Sequence, residues 1–140
     1  FARSGLYEYR IIHVDQMISN VNDLISPSLT GEAILTIGSA ITEVVDDVSG
    51  VISIGPFGCM PGRIAEAVIT EKINKQKLVI SPNRKLIEKI MEKHPALPFL
   101  SIETDGSVFP QIIEARLETF CLQVERLHHT IQSIQHEVIL

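Results

Sequence analysis

The stretch Val51-Ile52-Ser53-Ile54-Gly55-Pro56-Phe57-Gly58-Cys59-Met60-Pro61 decides the fold class. Its first four residues, rich in branched apolar side chains, read as a short buried strand. Gly55, Pro56 and Gly58 break the strand into a loop that carries one cysteine. A helical pattern begins at Pro61, a residue suited to a first helical turn. A strand that feeds a helix in this way sets Cys59 at the carboxyl edge of a sheet, where open α/β folds bind ligands. The amino end of the following helix would face the sulfur, and its partial positive charge favours thiolate over thiol. Cys59 is therefore the first candidate for chemistry.

Downstream, Pro98-Phe99-Leu100-Ser101-Ile102-Glu103 reads as a second strand that ends in Thr104-Asp105-Gly106. Two strands separated by helical segments read as a βαβ crossover, with the two strands parallel. Asp105 would then share a sheet edge with Cys59. The expected fold class is α/β: a Rossmann-like partial parallel sheet with flanking helices and a long carboxyl-terminal helix. Residues 1–140 read as one domain, and the start at Phe1 without Met reads as a fragment of a larger multidomain protein. Strands missing from so small a sheet are expected from the remainder of that protein or from another subunit.

Around this frame, residues 1–10 read as irregular. Val14, Met17, Ile18, Val21, Leu24 and Ile25 predict a helix over 14–25, closed by Ser26-Pro27-Ser28. Thr30 is the expected N-cap of the next helix, with Glu32 in its first turn. Its stripe of Ile34, Ile37, Ile41, Val44, Val45 and Val48 runs to Ser49-Gly50. Gly38 in mid-helix implies close approach by a neighbour. A third helix is expected over 61–75, and Leu78-Val79-Ile80 fits either a short strand or a further helical turn. Ser81-Pro82 reads as the N-cap and first residue of a fourth helix carrying Leu86, Ile87, Ile90 and Met91.

In the last helix, Ile113, Leu117, Phe120, Val124, Leu127, Ile131, Ile134 and Val138 step by 4, 3, 4, 3, 4, 3, 4. A seven-residue repeat this long suggests a coiled-coil-like partner. A helix of about 30 residues is about 45 Å long, whereas a domain of this size is about 30 Å across. The helix should overhang the body, and the expected cover for its end is a second copy of the chain, giving a homodimer.

Composition narrows the function classes. Apolar content of 45% excludes disorder. A net charge of −5 with no basic stripe argues against nucleic acid. No run reaches the length of a membrane span. Two cysteines in unlike contexts make no disulfide framework, and a reducing, cytoplasmic setting fits them. The five histidines form no zinc-hydrolase spacing. His129 and His136 are expected on a solvated face. No phosphate-binding glycine loop or nucleophile-elbow motif occurs.

Three readings of the candidate site follow. Cys59 is a metal or iron–sulfur ligand or a reactive thiol; alternatively it is a small buried residue in a tight turn, and the chain is an oligomerisation or interaction module. A third reading makes the Cys59/Asp105 edge a CoA- or nucleotide-binding module, with Gly58 and Asp105 as its contacts. Asp105 also suits the cap of the helix after it. Cys121, next to Phe120, is expected in core or boundary packing.

Three segments carry a resemblance: Gly55-Pro56-Phe57-Gly58-Cys59-Met60-Pro61, Thr30-Gly31-Glu32-Ala33-Ile34-Leu35-Thr36-Ile37-Gly38, and Pro98 through Gly106 followed by Ala115-Arg116-Leu117-Glu118. Together they resemble the carboxyl-terminal region of acyl-CoA dehydratase activase-related proteins, of the 2-hydroxyglutaryl-CoA dehydratase and benzoyl-CoA reductase systems. The resemblance implies a part in ATP-driven electron transfer to an iron–sulfur dehydratase or reductase that acts on CoA thioesters. It implies an ATPase domain elsewhere in the parent chain, a dehydratase-like partner subunit, and a [4Fe-4S] cluster in the full-length protein to which Cys59 corresponds as a ligand. No cluster and no ATPase activity are expected of this segment alone.

Overall fold

The computed structural model describes residues 13–29, 31–104 and 110–139. Seven elements follow in order: α1 (Val14–Ser19), α2 (Ala33–Glu43), β1 (Val51–Pro56), α3 (Met60–Ile80), α4 (Arg84–Lys93), β2 (Phe99–Thr104) and α5 (Pro110–Ile139). The fold is mixed α/β, with a two-stranded parallel sheet among the described residues. Its register runs from Val51 beside Phe99 to Pro56 beside Thr104. The crossover read from sequence is α3 and α4. Thr30, the expected N-cap, lies outside the described residues, and Glu32 occupies the N-cap position of α2.

Two helices are shorter than their apolar periodicity predicts. α1 stops at Ser19 instead of Ile25. The Asn20 carbonyl accepts from Gln76 Nε2 at 2.7 Å, and the same amide donates to Asp23 Oδ1 at 3.0 Å. Val21 and Ile25 remain buried in the turns that follow. α2 ends at Glu43 instead of Val48, because Lys77 Nζ reaches its last turn. The ammonium donates to Ile41 O at 3.2 Å, Thr42 O at 2.7 Å and Asp46 Oδ2 at 2.7 Å. A cation at a helix carboxyl end matches the helix dipole. Val44 leaves the helix at ψ 135 and Val45 takes φ 75, a conformation that costs a β-branched residue about 1–3 kcal/mol. Both valines stay in the core. Burial lowers the Lys77 pKa, and the carboxylate of Asp46 opposes that shift.

α3 is one helix through Leu78-Val79-Ile80, which settles that ambiguity in favour of helix. α4 is capped by Asn83, whose side chain accepts from Leu86 N–H, rather than by Ser81. Ser81 Oγ instead accepts from Asn83 N–H in the connecting turn.

Gly38 is as close to its neighbour as its position implies. A Cβ there would lie 2.7 Å from the Met17 carbonyl oxygen of α1. Gly38→Ala gains about 1 kcal/mol of helix propensity, but overpacking against backbone costs about 1–3 kcal/mol. The expected outcome is net destabilisation of up to about 2 kcal/mol, read as a lower urea midpoint with an unchanged slope.

The last helix departs most from expectation. Its seam is covered by its own chain. Leu127 is fully buried, and Ile131 and Ile134 join it in the main core with Val21, Ile37, Ile41, Ile69, Ile87 and Ile90. Phe120 lies with Leu100 and Ile102 in a second cluster flanked by Ile113, Leu117 and Val124. The predicted overhang therefore does not occur through Ile134; the side chain of Val138 lies outside the described residues. α5 packs on β2 at one end and on α4 at the other, so a length that exceeds the sheet is spent along the helical layer. His94 Nε2 and Thr130 Oγ1 meet at 2.8 Å across the α4–α5 contact. Burial, with Lys93 and Arg126 adding to it, holds the His94 pKa below the ordinary imidazole value. The unfolded chain then takes up this proton first as pH falls below about 6.5. Stability should decline from that pH down through the folded-state pKa, and His94→Gln should flatten that part of a urea-midpoint profile.

Candidate functional site

Pro56, Phe57, Gly58 and Cys59 form a tight turn closed by the Cys59 N–H to Pro56 O bond at 3.2 Å. Gly58 sits at φ 69 in the third position, where a type II turn demands positive φ. This accounts for the glycine as backbone geometry. Cys59 is the N-cap residue of α3, and its carbonyl accepts the first helical bond from Arg63 N–H at 2.9 Å. Pro61 stands in the first turn, where its missing N–H costs nothing.

The thiol is half-buried and free. It borders a cavity of about 260 Å³ at the carboxyl edge of the sheet, lined also by Glu32, Ser53, Gly62, Ser101 and Glu103. The Gly62 backbone passes beside it: a Cβ there would be 3.8 Å from Sγ. The strands β1 and β2 are parallel and end together, Pro56 opposite Thr104. The chain positions on either side of the candidate edge thus meet as expected. Asp105 itself lies outside the described residues.

Sequence reading missed the carboxylates of this cavity as a pair. The sequence puts Glu32 in a first helical turn and Glu103 at a strand end; the crossover brings Glu103 to the Cys59 cavity, and the packing of α2 on α3 brings Glu32. Glu103 is also tied to Arg63 at 3.6 Å, and Arg63 to Glu66 at 3.0 Å. Among the described residues, no group of three His, Cys, Asp or Glu side chains converges as a metal site. Cys121 does not pack in the core or at its boundary; it is exposed on α5, because the residue after Phe120 is rotated about 100° around the helix from the seam. His129 and His136 are both exposed, in agreement with a solvated face.

No family model, no curated protein and no solved structure matches this chain.

Proposed function

We propose that the chain is a domain of an acyl-CoA dehydratase activase-related protein, and that Cys59 contributes one ligand to an iron–sulfur centre completed from outside this segment. The reading is supported by the three ordered motifs and carried by one observation. A free, half-buried thiol stands at the carboxyl edge of a parallel sheet, on a turn fixed by Gly58, and opens on a cavity. In this reading the parent protein supports ATP-driven electron transfer to an acyl-CoA dehydratase or reductase. Its ATPase domain and a dehydratase-like subunit are the partners, and its setting is cytoplasmic. Among the described residues no helix is long and apolar enough to cross a membrane.

The donor set does not hold a cluster by itself. A [4Fe-4S] centre takes about four thiolates, and the cavity offers one, beside two carboxylates. What the chain's own residues supply is a positioned sulfur and a walled edge. In the anaerobically purified parent protein, Cys59→Ser should lower iron content, while Cys121→Ser should leave it unchanged. Unchanged iron in Cys59→Ser protein sinks the ligand assignment.

A second reading, an interaction module with a structural Cys59, is favoured by the sheet itself. Ile52 and Ile54 lie in register with Leu100 and Ile102. α5 covers the β2 pair, yet Ile52 and Ile54 are 40% and 69% exposed. Parallel strands are normally covered on both faces. Homodimerisation in this reading rests on that open face rather than on the α5 seam, and sedimentation of the chain as a monomer at high micromolar concentration rejects it.

A further inference from the structure

A cleft of about 240 Å³ shares the Ser101–Glu103 stretch of β2 with the Cys59 cavity and is lined by the amino-terminal parts of α3 and α5. We propose that it binds a small organic carboxylate with a hydrocarbon tail. The juxtaposition that carries this is a guanidinium with no carboxylate partner among the described residues, beside an exposed apolar wall. Arg116 Nη2 donates to Ser101 O at 2.7 Å, which ties the guanidinium to the β2 backbone. It has no carboxylate partner among the described residues, whereas Arg63 in the same cleft is engaged by Glu66 and Glu103. The cleft holds two arginines and two glutamates, which balance in formal charge, but both glutamates sit on Arg63, so the donors of Arg116 are the ones not taken by a carboxylate among the described residues. A planar guanidinium with donors to spare matches a carboxylate in a bidentate fork.

The apolar part comes from Phe57 and Ile112, 60% and 65% exposed, with Ile113 beside them. Ligand clefts combine such apolar lining with a few placed polar groups. One guanidinium fork matches one carboxylate, and the two glutamates disfavour a phosphate dianion. This reading is independent of the role of Cys59.

Titration of the isotope-labelled chain with sodium hexanoate, followed by NMR, tests it. Saturable shifts are expected at the Ile112 and Ile113 methyls and at Arg116 Nε–H. Arg116→Gln should weaken hexanoate by about tenfold or more, close to the loss of one charged contact. Ile112→Ala, an exposed site, should weaken it severalfold. Acetate and inorganic phosphate should each bind about tenfold more weakly than hexanoate. If Arg116→Gln fails to fold, Arg116→Lys replaces it, with weakening expected because the fork is lost. Non-saturable shifts, equal binding by the Arg116 variant, or phosphate binding as tightly as hexanoate would overturn the proposal.

Discussion

Leu127→Asp should unfold the chain rather than split a dimer. Leu127 is fully buried in the main core, where α5 meets the other helices. Truncating such a leucine alone costs about 2–5 kcal/mol, and forcing a carboxylate into the same apolar site adds several kcal/mol. The sum is comparable to the whole stability of a domain, about 5–15 kcal/mol. Ile134→Asp, at a position 3% exposed in the same cluster, should behave alike. Circular dichroism should show loss of most helical signal for either variant. A helical, monomeric Leu127→Asp protein would mean that the seam faces a second copy, and that the packing of α5 on α4 is wrong.

Lys77→Met is expected to cost about 3 kcal/mol. The ammonium is fully buried and donates to the carbonyls of Ile41 and Thr42 and to the Asp46 carboxylate. Methionine keeps most of the stem volume but leaves the carbonyls without this donor and the carboxylate without its cation. Removing one partner of a buried pair costs about 3–5 kcal/mol; Asp46 is 38% exposed, which places the loss at the low end. Urea unfolding reads this directly. Asp46→Asn should cost less, because its carboxylate has water to return to, and the double variant should lose less than the two singles combined. A loss below about 1 kcal/mol in Lys77→Met would leave the early end of α2 without a cause.

The parts of the fold legible in sequence are those with local punctuation. Gly55, Pro56 and Gly58 mark the end of β1, Pro61 marks the start of α3, and Gly38 marks the contact with α1. What failed was periodicity used as a measure of length. Val44 and Val45 keep helical spacing with Ile41, yet they are buried from a turn, because the residue that ends α2 is Lys77, far along the chain. Val21 and Ile25 mislead in the same way beyond α1. The heptad of α5 correctly marks one apolar face, but spacing carries no information on what covers it, and here the cover is intrachain. Cys59 was found because its loop is local. The carboxylates that share its cavity were not, since Glu103 arrives there through the crossover and Glu32 through the packing of α2 on α3.

The most direct test of the Cys59 assignment is thiol labelling of the anaerobically purified parent protein, before and after its iron is removed by a chelator. Cys121, exposed on α5, should label in both states. Cys59 should be protected while iron is bound and should label once it is removed. Equal labelling of Cys59 in the two states would contradict the account.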